Sequence, residues 1–275
     1  MNLELKSVTK SFGSKKALDD VTTVYETGHI YGLLGRNGAG KSTMIKLCTN
    51  MIYPTSGAIT LDGNQYFDNP SLKRNIFALG EENPFVSDEK VYKVFRQAAD
   101  YGGHDRAEMD DLASRFELPV KKNWAKLSTG YRTIFKDILA LTSTSPFVFF
   151  DEPILGLDAA HRELFYTLLL ERFTPERCFV ISTHLIEEVS ALLDSVKIIH
   201  HGRLIVDEDK DTLLSDISKV TVTSEELKNV TGSYTVLSKS ESLGKVTMTV
   251  RGSISAPDGC VTRADLQDAF IALAR

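Results

Sequence analysis

The sequence predicts an α/β fold with a largely parallel sheet, and three observations carry that expectation. Residues 30–34, 147–150 and 178–181 are short, continuous apolar runs, the pattern of strands buried on both faces. Longer stretches with charged residues set between apolar ones lie between them, as helices packed on a parallel sheet require. The first apolar run leads directly into a glycine-rich loop, Gly35-Arg36-Asn37-Gly38-Ala39-Gly40-Lys41-Ser42-Thr43, which is a full match to GxxxxGK[ST].

Taken in order, 30–34 reads as a buried strand and about 42–50 as a helix. Pro54, Ser56 and Gly57 punctuate the chain, and 58–61 resumes β character before an Asp62-Gly63 turn. From about 87 to 144 the pattern is mostly helical, with Phe95, Phe116 and Phe135 as its core aromatics. Residues 147–150 and 178–181 are central strands. Residues 196–199 and 203–206, joined through His201-Gly202, read as a hairpin. Past about 211 the character changes: 219–223, 233–238 and 245–251 look like short Val- and Thr-rich strands. A last helix follows, with Thr262 as its cap and Asp265 in its first turn.

With 275 residues, 42% hydrophobic and 25% charged, the chain can bury one large core and carry a small appendage. A net charge of -5 argues against a nucleic-acid partner held by bulk phosphate attraction. Cys48, Cys178 and Cys260 show no CxxC pairing and no zinc spacing, so they read as small thiols in a reducing compartment. Apolar runs such as 147–150 are far short of the roughly 20 residues that span a bilayer. No basic-then-apolar leader opens the sequence. The expectation is a chain that does not cross a membrane by itself.

The loop at 35–43 carries definite chemistry. Its glycines let successive backbone N–H groups converge on phosphate oxygens at the positive end of a helix. Lys41 is expected to bridge the β- and γ-phosphates of a nucleotide, and Ser42 to offer a hydroxyl to Mg²⁺. Such a site needs a second carboxylate at the end of another strand, and Asp151-Glu152 after the 147–150 run supplies it. Asp151 is expected at the Mg²⁺. Glu152 is expected to face the attacking water as a general base or water-orienting group.

Many phosphate-loop enzymes share those two elements. The sequence is distinguished by Leu127-Ser128-Thr129-Gly130 upstream of the acidic pair. Alone, this tetrad is a plausible helix N-cap. In this context it resembles the LSGGQ signature of ATP-binding-cassette (ABC) ATPases. Ile154-Leu155-Gly156-Leu157-Asp158 resembles that family's D-loop, and Ser182-Thr183-His184 its switch histidine. Ser11-Phe12-Gly13 sits where the family places an adenine-stacking aromatic, and 194–206 resembles the close of its fold.

The resemblance implies a phosphate-loop NTPase of ABC type over residues 1–215, with a mixed or parallel sheet core, an N-terminal antiparallel β part and a helical subdomain at about 87–144. A small α/β appendage is then expected at 216–275. It further implies an ATPase using ATP and Mg²⁺, in which Glu152, His184 and Lys41 serve catalysis. Phe12, residues 35–43, Ser128, Thr129 and Gly130 would bind nucleotide, and Ser42, Asp151 and Glu81 would serve the metal. Two cassettes, identical or paralogous, would face each other head to tail at the cytoplasmic face of the membrane and drive separate permease subunits. Those subunits would dock in a groove between Glu81 and about 83–100. The ending Leu266-Gln267-Asp268-Ala269-Phe270 resembles ATPases of small bacterial exporters. The alternative is a soluble ABC ATPase energising an assembly complex such as an iron–sulfur scaffold. Three positions depart from the family pattern: Glu81 and Tyr131 stand where glutamines are usual, and Phe12 where tyrosine is commoner.

Overall fold

Elements follow one another in the predicted α/β order. A computed structural model describes residues 1–67, 69–80 and 89–274. It begins β1 (Asn2–Phe12), β2 (Lys15–Glu26), β3 (His29–Leu34), α1 (Lys41–Cys48), β4 (Ser56–Leu61) and β5 (Asn64–Gln65). Next come α2 (Pro70–Lys73), β6 (Ile76–Leu79), α3 (Val91–Gly102), α4 (Arg106–Arg115), α5 (Thr129–Leu141) and β7 (Phe147–Asp151). The chain continues with α6 (Ala159–Arg172), β8 (Cys178–Thr183), α7 (Ile186–Val189), β9 (Ser195–His200), β10 (Arg203–Asp209) and α8 (Lys210–Ser215). It closes with β11 (Ile217–Thr223), β12 (Thr231–Ser242), β13 (Lys245–Ser255), β14 (Val261–Arg263) and α9 (Leu266–Leu273).

The central sheet has the order β10-β9-β3-β8-β7-β6. Its strands run parallel from β9 across to β6, and only the hairpin strand β10 is antiparallel. Alternate side chains of one strand point to opposite faces, and here both faces are cores. Phe147 and Phe149 enter a cluster with α1 and the β1 and β2 side chains, whereas Val148 and Phe150 enter a second cluster with α5 and α6. That is why 147–150 has to be apolar at every position.

An antiparallel sheet, β2-β1-β4-β5, covers the first face. It is joined to the central sheet by a buried cation. The Lys197 side chain on β9 is 2% exposed and pairs with Asp207 of β10. Its ammonium lies 4.9 Å and 4.8 Å from the Tyr25 and Tyr31 ring centroids. The second Asp207 oxygen accepts from the Thr23 hydroxyl at 2.7 Å. Burial pulls the Lys197 pKa down, and Asp207 opposes the shift, as a desolvated ammonium with one carboxylate partner requires.

The helical region packs as its aromatics suggest. Phe95, Phe116 and Phe135 are fully buried, and Phe95 stacks on Phe135 with centroids 5.4 Å apart. The expected helix at 42–50 stops at Cys48, and Asn50 turns to a φ of 56°, a conformation asparagine tolerates better than most residues.

The third sheet, β12-β13-β11-β14, departs from expectation at its end. Thr262 does not cap the last helix: it lies in the short strand β14, paired with Lys219. Asp265 is the cap, its carboxylate accepting from Asp268 N–H at 2.7 Å. The extra strand consumes 261–263 and pushes the helix start downstream. Leu266, Ala269 and Phe270 of α9 then join the large core beside Ile186 and Val189 of α7. Among the described residues no helix is long and apolar enough to cross a membrane.

Candidate nucleotide site

The loop between β3 and α1 walls a cavity of about 520 Å³. Phe12, Lys15, Arg36, Asn37, Gly38, Gly40, Lys41, Ser42, Thr43, Asp151 and Glu152 line it. Local backbone geometry accounts for the cradle. Gly40 precedes α1 at a φ of 121°, and no side chain caps the helix, so its first-turn N–H groups remain available to an anion. A Cβ on Gly40 would lie 2.7 Å from the Ala17 carbonyl oxygen, so only glycine lets the loop pack this close to β2. Gly35 and Ala39 shape the loop without lining the cavity. The Gly35 carbonyl accepts from the Lys41 ammonium at 2.7 Å, and the Ala39 N–H donates to the Arg36 carbonyl at 3.0 Å.

Opposite the loop, Asp151 ends β7 and Glu152 follows at a φ of 52°. A left-handed backbone at a residue other than glycine is strained by roughly 1–3 kcal/mol, so its surroundings must hold it. The Glu152 N–H donates to the Ser182 carbonyl at 2.8 Å. Its carboxylate accepts from His184 Nδ1 at one oxygen and from the Thr183 hydroxyl at the other, each at 3.0 Å. The Lys41 ammonium lies 3.7 Å from the first oxygen. A carboxylate only accepts, so His184 carries its proton on Nδ1 here, and Nε2 can donate as well only when the ring is protonated. One strand over, the Ser182 hydroxyl donates to Asp151 Oδ1 at 3.0 Å.

The groups suit a nucleoside triphosphate and a hard cation. The first-turn backbone N–H groups and Lys41 are groups that could meet a polyphosphate's charge. The Ser42 hydroxyl and Asp151 carboxylate, which share the cavity, are oxygen donors of the kind Mg²⁺ takes. Phe12 is 54% exposed at the rim, with the Lys10 ammonium 5.2 Å from its ring centroid.

Ser128, Thr129 and Gly130 are not among the described residues lining this cavity. Ser128 is the N-cap of α5, its hydroxyl accepting from Tyr131 N–H at 3.3 Å. Asp158 caps α6 in the same way through His161 N–H at 2.9 Å, and that hydrogen bond holds its carboxyl below the ordinary value. The Glu81 assignment lies outside the described residues. Sequence reasoning singled out His184 but attached no role to Ser182 or Thr183. No spacing signal reveals them, because their hydroxyls meet the acids only through β7–β8 pairing.

Beneath Asp151 and Glu152 lies a second, smaller cavity of about 210 Å³, lined in part by Thr133, Lys136 and Asp137. The Asp137 side chain is 3% exposed, and its Oδ2 has no hydrogen-bond partner. Burial holds its carboxyl well above the usual range, with Lys136 opposing. In the unfolded chain an aspartate ionises near pH 4, at about 3.9, so folding loses stability as pH rises from there towards the folded value. Asp137→Asn is therefore expected to raise the melting temperature at pH 7.5, with a gain that shrinks as pH approaches 5. Melting curves at the two pH values check this, and a gain independent of pH would contradict it.

A phosphate loop facing a strand-end Asp-Glu pair, on a sheet of this order, defines a nucleotide-binding phosphate-loop ATPase. The chain belongs to the ABC transporter family, whose model matches residues 18–155. It is 30% identical over 223 residues to the ABC transporter ATP-binding protein YtrB of Bacillus subtilis (strain 168), covering 79% of this chain and 75% of that one. It is 31% identical over 243 residues to the bacitracin transport ATP-binding protein BcrA of Bacillus licheniformis, covering 82% and 78%. A solved ATP-binding subunit of an ABC transporter superimposes with a TM-score of 0.70 at 27% identity, over 78% of this chain and 92% of the other.

Proposed function

We propose that this ATPase works as one of two cassettes beneath separate membrane subunits, and that ATP hydrolysis in it drives export. The observation that carries the reading is the incompleteness of the nucleotide cavity. One side is built from 36–43, Asp151 and Glu152, while the Ser128 and Gly130 end of α5 takes no part in it. A second cassette, identical or paralogous, placed head to tail would bring its own Ser128–Gly130 helix start to the open side and enclose the phosphates. The division into a cassette, 1–215, and a following segment, 216–275, belongs to the same reading.

Within that arrangement Lys41 and the loop N–H groups bind the triphosphate, and Phe12 stacks on the base. Ser42 and Asp151 would hold Mg²⁺, which neutralises charge on the phosphate oxygens. Glu152 orients the attacking water and takes its proton, and His184 holds the Glu152 carboxylate and faces the terminal phosphate. Loss of the γ-phosphate removes the shared grip, and the cassettes part. That gives a two-state element able to do work on a partner.

For the partner we propose a cytoplasmic helix of a membrane subunit, seated in the groove of about 490 Å³ lined by Phe77, Leu79, Val94, Ala98, Tyr101 and His104. Val94 and Ala98 of this lining belong to the 83–100 region, of which 83–88 are outside the described residues. Tyr101, 89% exposed, offers an apolar face that a docked helix would cover. A Nod factor export ATP-binding protein I of Rhizobium meliloti, 27% identical over 223 residues, and the ending at 266–270 support export as the direction. Affinity capture of the tagged chain from detergent-solubilised membranes tests the reading. An integral membrane subunit is expected to copurify and to be lost on Tyr101→Asp. Recovery of soluble assembly proteins alone would overturn it.

A further inference from the structure

We infer that Thr183 is a positioning residue for hydrolysis: its hydroxyl fixes the Glu152 carboxylate in the one orientation that presents a free lone pair to water. The inference rests on the reading of Glu152 as the water-activating group. Residues 182–184 address the acidic pair one by one. Ser182 donates to Asp151, Thr183 to Glu152 Oε2, and His184 to Glu152 Oε1.

His184 alone cannot hold the carboxylate. It is 37% exposed, and one hydrogen bond leaves the group free to rotate about its terminal torsion. Thr183 is fully buried, so its donor does not compete with water. Its own orientation is set, because its oxygen accepts from Leu185 N–H at 3.0 Å. With that lone pair occupied, the hydroxyl hydrogen is directed at Glu152. Two donors from adjacent residues, one on each oxygen, define the carboxylate plane. They also offset the left-handed backbone at Glu152, which would otherwise relax and swing the carboxylate away.

Steady-state ATPase kinetics and equilibrium ATP binding on the full chain test this, with Thr183→Val, Thr183→Ser, Glu152→Gln and the Glu152→Gln/Thr183→Val double variant. Thr183→Val is expected to lower kcat about tenfold, the effect of losing one hydrogen bond to a charged group. KM and ATP affinity should stay within about twofold, because the interaction serves the reaction and not ground-state binding. Thr183→Ser keeps the hydroxyl and should restore kcat. In the Glu152→Gln background Thr183→Val should change residual turnover by less than about twofold, since groups acting as a unit are not additive. Should valine prevent folding, Thr183→Ala against Thr183→Ser isolates the same oxygen atom. Wild-type kcat in Thr183→Val or Thr183→Ala, a serine variant as slow as either, or losses that multiply in the double variant would overturn the proposal. Wild-type turnover in Glu152→Gln would instead refute the role of Glu152, so the two failures are told apart.

Discussion

Glu152→Gln is expected to leave ATP binding intact and to lower turnover by about 10²- to 10⁴-fold, the range over which a positioned proton acceptor acts. The geometry around the side chain argues that the loss will be chemical. An amide has the same shape, and its oxygen can keep the contact to His184 Nδ1 and the neighbouring Lys41 ammonium. Its NH₂ then faces the Thr183 oxygen, which has a second lone pair to accept it and keeps its bond from Leu185 N–H. No steric demand changes at the left-handed backbone of residue 152. What disappears is the basic oxygen that, in the proposed mechanism, takes a proton from water. Phosphate release and equilibrium nucleotide binding, measured on the same preparation, separate the two effects. Undiminished turnover would remove Glu152 from the mechanism.

Gly130→Ala is expected to cost on the order of 100-fold in turnover, the scale seen when a catalytic element is displaced by about 1 Å. A Cβ at residue 130 would sit 2.4 Å from the Gly156 carbonyl oxygen, a backbone atom that cannot rotate aside. Gly156 itself has a φ of 78°, a left-handed backbone that glycine adopts without strain. The same loop is held to α5 from the other side, since the Thr133 hydroxyl donates to the Leu155 carbonyl at 2.9 Å. Relief of the clash therefore moves either the start of α5 or the 154–158 segment, which runs straight on from Glu152. Overpacking of this kind also destabilises by roughly 1–3 kcal/mol. Nucleotide affinity of the separate chain should change little, because Gly130 does not line the cavity. ATPase rate against ATP affinity checks this, and wild-type turnover would show that the close approach of α5 and the loop is dispensable.

The phosphate loop, the acidic pair and the two-sided burial of the central strands were legible because each is written in contiguous residues. A glycine loop needs its glycines at fixed offsets, and a strand with a core on both faces must be apolar throughout, as 147–150 is. The cap of α9 was misplaced because a three-residue strand such as β14 has too few positions to show a period.

Sequence alone thus determined the class of chemistry, the family and most of the residues that line the cavity beside the glycine loop. Tertiary structure decided which side chains hold them in place. Thr183 and Ser182 reach Glu152 and Asp151 across 31 residues of chain, Gly130 meets Gly156 through helix-against-loop packing, and burial holds the Asp137 carboxyl well above the usual range. Motifs survive in one dimension because successive N–H groups or strand faces act together along the chain. Hydrogen-bond direction, close backbone approach and desolvation depend on distances between segments that no local pattern specifies.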